Sequence, residues 1–351
     1  MALFSIPRVN ISGLNCCVPK NAVSNKDYKW LGDKERELLI KKTGVVEKRQ
    51  APHGMATSDL CFVSAEKIIA GLGWDKEEIG LLLFVSQTPD YVLPATSCIL
   101  QERLGLSKNC LAFDVNLGCS GFVYALSVAG NYVSNCNINK ALLLIGDVNP
   151  YASYRDKTTY PLFGSAGAAV ALEHNADVPL MYFNLQTDGS GHKAIHIPGG
   201  GMRHFLTKEM FHYKRYAKGV IRNQIQVSLD GFEVFNFSLR EVVPNIRTLL
   251  DFSGCGQDDI DYFIFHQANL LINDSIRKKM KLEPEKVPYS LDKFGNTSSA
   301  SIPLTINTTI QKQFSSEKLT LLFSGFGVGL SWGSVMLQTE NVYCPDIIEL
   351  K

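Results

Sequence analysis

The chain has 351 residues, of which 45% are hydrophobic and 20% are charged, and its formal net charge is +1 at pH 7. This length and composition predict a globular protein of two domains or a fused pair, and the balanced charge argues against a nucleic-acid or general membrane-surface binder. No apolar run approaches the ~18 residues of a membrane span, and the first residues show no basic region followed by a long apolar stretch, so we expect no secretion signal. The nine cysteines lack paired metal-ligand spacing, so we expect reduced thiols in a cytoplasmic protein without a metal or cofactor.

Apolar strand patterns alternate with helical periodicity along the chain, which is typical of an α/β fold. In chain order, the patterns predict helix 59–72, strand 80–85, helix 98–104, strand 110–115, helix 121–133, strands 141–145 and 168–172, helix 235–252, strand 262–265, helices 270–280 and 299–313, and strands 319–323 and 334–337. No low-complexity or Pro/Gly-rich linker divides these elements.

The chain carries a weak internal repeat. EEIGLLLF at residues 77–84 is similar to DDIDYFIF at 258–265, and GAAVAL at 167–172 is similar to GSVML at 333–337. Each match alone is common in α/β proteins, but their shared order and spacing indicate a duplicated α/β unit. Such a duplication predicts a site between the halves, where strand ends converge.

The sequence FDVNLGCSGF at residues 113–122 places Cys119 in a tight turn between a predicted strand and a predicted helix. Helix N-termini carry partial positive charge, so this position favours thiolate and predicts a lowered pKa for the cysteine. Small glycine neighbours leave room for a substrate carbonyl to reach the sulfur. Since free cysteines are commonly buried structural residues, this motif alone does not identify a nucleophile.

Three further motifs follow in the second half of the chain. His266 ends a predicted strand in FHQAN (265–269), where the active sites of open α/β sheets gather. Asn296 lies in a Gly-Asn turn within FGNTSSAS (294–301). The glycine-rich turn SGFGVGLSWG (324–333) joins two strands and can expose backbone N–H groups to a ligand. Each motif alone has an ordinary structural explanation.

Residues 199–222, here called the basic segment, carry six Lys or Arg residues and one Glu. One interpretation is a solvated loop and helix. The other is a basic lip that attracts an acidic carrier or a phosphate. The sequence leaves both interpretations open.

Together and in this order, the motifs resemble the β-ketoacyl-acyl-carrier-protein synthase III family, the condensing enzymes of the thiolase fold. The resemblance covers nearly the whole chain and includes KTGV at residues 42–45 and FGSAGA at 163–168. It implies an α/β, thiolase-like fold whose two duplicated α/β halves form a five-layered αβαβα sandwich. The N-terminal half, 1–175, would carry the nucleophile Cys119, and the C-terminal half, 176–351, would carry His266 and Asn296.

The resemblance further implies a two-stage Claisen condensation. An acyl thioester would acylate Cys119, and decarboxylation of malonyl-acyl carrier protein would give an enolate that attacks the acyl group. His266 and Asn296 would donate hydrogen bonds to the enolate oxygen. Backbone N–H groups of Cys119 and Val328 would stabilise the acyl carbonyl, and Phe326 would pack beside the thiol. The product would be a β-ketoacyl-acyl carrier protein, for fatty-acid initiation or for specialised lipid or polyketide synthesis.

By the same resemblance, the phosphopantetheine arm of the carrier would enter a tunnel near Asn269. Lys278 and Lys279 match a basic patch that meets the acidic carrier protein. Leu271 stands where many relatives have arginine, which weakens that patch, and the basic segment is a candidate to compensate.

Coenzyme A recognition lacks one expected feature. Leu38 stands where family members that use acyl-coenzyme A often have a tryptophan for stacking on adenine, although Lys42 could still meet a phosphate. Our hypothesis is that the primer arrives on a carrier protein or as a thioester other than acetyl-coenzyme A. Leu93 aligns with a residue that crosses a homodimer interface to floor the partner's acyl pocket, and a plain interface residue is the alternative.

Several other functions are alternatives for these residues. An acyltransferase of the same fold would form an ester or amide without decarboxylation, but it would have no enolate for His266 and Asn296 to stabilise. A thiolase would need a second catalytic cysteine in the glycine-rich turn. A hydroxymethylglutaryl-coenzyme A synthase would need a glutamate base. A non-catalytic partner subunit typically lacks the nucleophile. A metal hydrolase would need clustered His and carboxylate ligands.

Overall fold

Two β-sheets form the centre of the computed structural model, which describes residues 2–135, 137–149 and 151–351. The strands are β1 Ala2–Ile6, β2 Val9–Pro19, β3 Ala22–Ser24, β4 Glu47–Arg49, β5 Ile79–Val85, β6 Leu111–Val115, β7 Lys140–Asp147, β8 Ala166–His174, β9 Met181–Thr187, β10 Ile195–His196, β11 Lys214–Ala217, β12 Val220–Arg222, β13 Ser228–Leu229, β14 Tyr262–Phe265, β15 Leu319–Gly327, β16 Ser331–Thr339 and β17 Ile348–Leu350. The α-helices are α1 Asp33–Thr43, α2 Thr57–Leu72, α3 Thr96–Arg103, α4 Gly121–Asn135, α5 Gly231–Ser253, α6 Leu270–Met280, α7 Leu291–Phe294, α8 Ser301–Thr309 and α9 Gln311–Ser316.

The two large sheets repeat one topology. The N-terminal sheet has the order β17-β2-β8-β7-β5-β6, and the C-terminal sheet has the order β1-β9-β16-β15-β14. In both, the strand pairs β2–β8 and β9–β16 are antiparallel, as are β8–β7 and β16–β15, whereas β7–β5 and β15–β14 are parallel. The segments that match in sequence form β5 and β14 in one case and β8 and β16 in the other. The shared connectivity confirms the predicted duplication.

Helices cover the sheets in five layers. α2 and α3 pack on the outer face of the N-terminal sheet, α4 and α8 lie between the sheets, and α5 and α6 pack on the outer face of the C-terminal sheet. The sequence of α5 explains its place, because Val242, Ile246 and Leu249 recur at about one helical turn and are all buried. The layer order is that of the predicted αβαβα sandwich.

The first and last strands cross between the halves. β1 pairs with β9 in the C-terminal sheet, and β17 pairs with β2 in the N-terminal sheet. The predicted boundary after residue 175 falls in the loop between β8 and β9. Each half of the sequence therefore contributes one terminal strand to the sheet of the other.

Most predicted elements coincide with observed ones, but several were missed. β14 and α6 have the predicted bounds, whereas the predicted helix 299–313 is divided into α8 and α9 at Ile310, whose φ is −123°. β2 and β9 were not predicted. Polar residues interrupt the apolar pattern of β2, and the fold satisfies one of them, Asn15, through the carbonyls of Pro345 and Asp346.

The helical interpretation of the basic segment is wrong. Its residues form a loop, a single 3₁₀ turn at Lys208–Phe211 and the hairpin of β11 and β12. Gly219, with a φ of +75°, lies in the two-residue connection of this hairpin, where positive φ suits glycine. In the described part of the chain, no helix is long and apolar enough to cross a membrane.

Candidate active site

Cys119 lies in the turn between β6 and α4, with Ser120 between it and the first helical residue. It is buried, with 7% of its surface exposed. The N–H of Gly121 closes the turn by donating to the carbonyl of Gly118 at 2.6 Å. A Cβ at Gly118 would lie 2.4 Å from Oε1 of Gln87, so a larger residue does not fit there without displacing that side chain. The small residues of the motif thus permit the tight approach of strand to helix.

A cavity of about 320 Å³ joins Cys119 to His266 and Asn296. His266 directly follows β14, and Asn296 lies between α7 and α8. Three more of the predicted site residues line the same cavity, namely Asn269, Phe326 and Val328. The fold therefore brings together six predicted residues that come from both halves of the chain.

The glycine-rich turn between β15 and β16 packs directly against Cys119. A Cβ at Gly327 would lie 3.0 Å from the Cys119 Sγ and 2.6 Å from its Cβ. The hydroxyls of Ser120 and Ser331 lie 2.6 Å apart, and Ser331 Oγ donates to the carbonyl of Val328 at 2.8 Å. These contacts fix the position of the Val328 backbone relative to the sulfur.

The electrostatics of Cys119 differ from the expectation. Burial raises the pKa of its thiol to about 11, and the negative charge of Asp147 adds to the rise. Hydrogen bonds from the Val328 and Cys119 backbones and the Ser298 side chain oppose it. The predicted lowering of the Cys119 pKa is wrong, because desolvation of the sulfur outweighs the stabilisation of thiolate expected at the N-terminus of α4. The thiol is held neutral, beside backbone amides that stabilise negative charge.

His266 is a neutral imidazole of fixed orientation. Burial lowers its pKa to about 3, which keeps the ring uncharged at neutral pH. Its Nδ1 lies 2.7 Å from the Ser301 Oγ, which also accepts the Gln267 N–H at 3.3 Å. Because the Ser301 Oγ accepts from Gln267, we assign its hydroxyl as the hydrogen-bond donor to Nδ1 of His266. The ring proton of His266 then lies on Nε2. Phe326 contacts the ring edge to face, with centroids 5.6 Å apart.

Asn296 is oriented by the backbone around it. Its Oδ1 accepts the Ser298 N–H at 2.9 Å, and its Nδ2 donates to the Ala268 carbonyl at 3.3 Å. The Nδ2 carries two protons, so one is left for a ligand in the cavity. The carboxamide therefore presents a donor, as the imidazole does.

The sequence reasoning missed Asp147, a buried carboxylate that also lines the cavity. Its Oδ1 accepts the Gln87 N–H at 2.7 Å and the Ser86 hydroxyl at 3.1 Å, and its Oδ2 accepts the Ser299 hydroxyl at 3.2 Å. Burial raises its pKa against these hydrogen bonds. Its place at the end of a predicted apolar strand, next to a parallel neighbour, was the signal that could have identified it.

The residues predicted to meet the carrier do not all lie at the cavity. Asn269 caps α6, since its Oδ1 accepts the Ile272 N–H at 2.9 Å, and it lines the cavity. Lys278 pairs with Asp274 at 2.7 Å, and the Nζ of Lys279 donates to the Leu239 carbonyl at 2.7 Å. Both lysines lie outside the cavity lining.

Two more predicted residues are exposed and lie apart from the cavity. Lys42 lies in the last turn of α1. Leu93 is 79% exposed in the loop between β5 and α3. Leu38, in the place of the expected tryptophan, is exposed on α1. None of the three contributes to the cavity wall in this chain.

Comparisons with known proteins agree with this geometry. Residues 113–189 match the family described as 3-oxoacyl-[acyl-carrier-protein] synthase III, and residues 250–339 match its C-terminal family. A β-ketoacyl-[acyl-carrier-protein] synthase III of Syntrophomonas wolfei is 33% identical over 333 residues, which are 94% of this chain and 97% of the relative. One of Aliarcobacter butzleri is 34% identical over 326 residues, or 92% and 95%.

A crystal structure extends the similarity to three dimensions. The 3-oxoacyl-(acyl-carrier protein) synthase of Burkholderia xenovorans LB400 superposes with a TM-score of 0.93 at 36% identity, covering 99% of both chains. Sequence and fold therefore agree over nearly the full length. With a cysteine, a histidine and an asparagine facing one buried cavity at the junction of two thiolase-like halves, this chain belongs to the β-ketoacyl-acyl-carrier-protein synthase III family of condensing acyltransferases.

Proposed function

We propose that the protein catalyses decarboxylative Claisen condensation, with Cys119 as nucleophile and His266 and Asn296 as the donors that stabilise the enolate. The observation that carries the proposal is the shared cavity, in which one thiol and two oriented neutral donors converge. A neutral imidazole suits this role because it donates a hydrogen bond without protonating the enolate.

In the first stage, the Cys119 sulfur attacks the carbonyl carbon of an acyl thioester. A new C–S bond to the enzyme forms, the original C–S bond breaks, and the thiol proton of Cys119 passes to the departing thiol. The backbone N–H groups of Cys119 and Val328 stabilise the tetrahedral oxyanion. Because the free thiol is held neutral, loss of its proton accompanies attack rather than preceding binding.

In the second stage, malonyl-acyl carrier protein occupies the cavity. Its carboxylate carbon leaves as carbon dioxide, and the bonding electrons form an enolate whose oxygen accepts from His266 Nε2 and Asn296 Nδ2. The enolate carbon attacks the acyl carbonyl, the C–S bond to Cys119 breaks, and the thiolate takes a proton from water. The product is a β-ketoacyl-acyl carrier protein.

Substrate delivery and assembly belong to the same proposal. The primer arrives on a carrier protein or another thioester in preference to acetyl-coenzyme A, since Leu38 offers no ring for adenine. The protein acts as a homodimer, with Leu93 reaching the acyl pocket of the partner. A cytoplasmic location suits the eight cysteines that the structure describes, which are all free thiols.

An acyltransferase that forms an ester or amide is the weaker candidate. Transfer to an alcohol or amine generates no enolate, so the oriented Nδ2 of Asn296 would have no reaction step to serve. Release of carbon dioxide from malonyl-acyl carrier protein separates the two functions, because only condensation produces it.

Intact-mass measurement with a panel of acyl thioesters tests the assigned roles. Wild-type protein and the control Cys61→Ala, which alters a buried thiol outside the cavity, should gain one acyl group, whereas Cys119→Ala should gain none. His266→Ala and Asn296→Ala should still be acylated but lose about 100- to 1000-fold in condensation, as expected for removal of one preorganised donor. Acylation of Cys119→Ala would refute the nucleophile, and rapid labelling by acetyl-coenzyme A would refute the primer preference.

A further inference from the structure

The basic segment forms a nearly continuous exposed surface. Residues 201–209 and 211–218 are all exposed. Arg203, Lys214 and Arg215 lie among exposed apolar side chains, of which Met202 and Phe205 protrude most. This mixture of cations with aromatic and apolar groups is typical of a surface that binds another protein.

The basic segment lies between two short strands, β10 and β13, that line the catalytic cavity. β10 pairs with β13 just outside the segment, with Ile195 opposite Leu229. Ile195, His196 and Leu229 line the cavity. The exposed cations therefore lie on the segment that joins these two strands, so a partner that binds them is placed to reach the cavity.

The hairpin within the basic segment is anchored to the body of the protein. Arg222 pairs with the fully buried Asp156 at 3.3 Å, and the Trp30 Nε1 donates to the Gly219 carbonyl at 3.1 Å. The Arg155 guanidinium lies over the Tyr213 ring at 4.4 Å. These contacts orient the hairpin and reduce the ordering cost of binding a partner to it.

More unpaired positive charge lies on the basic segment than on α6. Within the described residues, Arg222 is the one cation of the basic segment in an ion pair, and Arg203, Lys214 and Arg215 have no carboxylate partner. On α6, the single carboxylate of Asp274 pairs with both Arg277 and Lys278 and offsets one of their two charges. Lys279 keeps its charge while it donates to the Leu239 carbonyl. Leu271 on α6 offers an exposed apolar side chain without charge.

We propose that the basic segment, rather than α6, is the docking surface for the acidic carrier protein whose phosphorylated thiol arm enters the cavity. The inference rests on the proposed condensing function. Its basis is charge complementarity, because the arm carries a phosphate and the basic segment beside the cavity wall holds more unpaired cations than α6 does.

Binding of a fluorescent, phosphopantetheine-loaded acyl carrier protein to the Cys119→Ala protein tests the proposal without catalysis. The triple variant Arg203→Ala, Lys214→Ala, Arg215→Ala should weaken binding by about tenfold at low salt, since each exposed charge pair contributes a few-fold. Its binding should also depend less on salt. The control pair Lys278→Ala, Lys279→Ala should change the affinity less than twofold. Thermal unfolding checks that both variants remain folded.

The outcomes separate the docking surface from the reaction. Unchanged binding in the triple variant, or an equal loss in the α6 pair, would overturn the docking proposal and leave the reaction intact. Failure of the Cys119-containing triple variant to condense malonyl-N-acetylcysteamine, which needs no carrier, would also count against docking as the role of these residues. If the wild-type protein condenses no malonyl donor but the variants still differ in carrier binding, the proposed reaction is wrong and the docking proposal stands. A dimer lost in the triple variant, or tighter binding of a DNA oligonucleotide than of carrier, would overturn the choice of partner.

Discussion

At the scale of single residues, burial of the Cys119 sulfur determines its protonation. Burial disfavours thiolate and the Asp147 carboxylate adds to that effect, whereas backbone N–H groups beside the sulfur favour thiolate. Asp147 in turn accepts hydrogen bonds from Gln87 and Ser299. Holding a neutral thiol limits alkylation and oxidation of the sulfur between catalytic cycles.

We predict that Asp147→Asn lowers the pKa of Cys119 from about 11, because the substitution removes a negative charge while keeping the shape and an acceptor oxygen. The rate of iodoacetamide addition at Cys119, followed by peptide mass spectrometry against pH, gives the midpoint directly. The raised pKa means that wild-type reactivity increases as pH rises through that value, and the variant curve should lie at lower pH.

The exposed carboxylate Glu78, which pairs with Lys140 at 2.5 Å, supplies the control. Glu78→Gln should leave the midpoint unchanged. A midpoint that stays fixed or rises in Asp147→Asn would contradict the electrostatic role of Asp147 and leave it only a structural one.

At the scale of elements, the turn between β15 and β16 determines how closely the second half of the chain approaches the Cys119 sulfur. Gly327 occupies the point of closest approach, and Ser331 links the turn to Ser120. The turn places the Val328 backbone beside the sulfur because no side chain intervenes at residue 327.

We predict that Gly327→Ala reduces acylation of Cys119 by about 100-fold or more, since a displacement near 1 Å at reacting atoms costs that much. The new methyl group would lie 3.0 Å from Sγ, and at a φ of +154° it would strain the backbone. Gly189→Ala, whose new Cβ meets nothing within 4 Å, should acylate normally. Single-turnover acylation rates compare the two, and equal rates would refute the importance of the close approach.

At the scale of the whole molecule, the exposed loop before α3 points to assembly. Tyr91, Val92 and Leu93 are consecutive apolar residues with more than half of their surface exposed, which is unusual for a monomer surface. Gln87 and Thr88, a few residues earlier, line the cavity. A partner covering this loop would therefore contact residues close to the site.

We predict that the wild-type protein sediments as a dimer and that the double variant Val92→Asp, Leu93→Asp sediments as a monomer, because burying two carboxylates without partners is unfavourable. Leu38→Asp places the same charge at an exposed leucine on α1 and should leave the dimer intact. Analytical ultracentrifugation distinguishes these states. A wild-type monomer, or a double variant that remains dimeric, would contradict the role of the loop.

The sequence by itself determined the α/β class, the duplication and the three residues that face the cavity. Strand and helix periodicity are local properties, so β14 and α6 were predicted with their observed bounds. Cys119, His266 and Asn296 could be identified because the motifs around them occur together and in the order of the synthase III family, although each motif alone has an ordinary structural explanation.

Only the tertiary structure decided the protonation of the site and the exchange of strands between halves. The pKa of Cys119 depends on burial and on Asp147, which is 28 positions away in sequence. The pairing of β1 and β17 with the opposite halves, and the hydrogen bond from Lys279 on α6 to the Leu239 carbonyl, depend on contacts between distant segments. Local sequence signals describe what a segment favours, whereas desolvation and pairing are set by whatever the rest of the chain places against it.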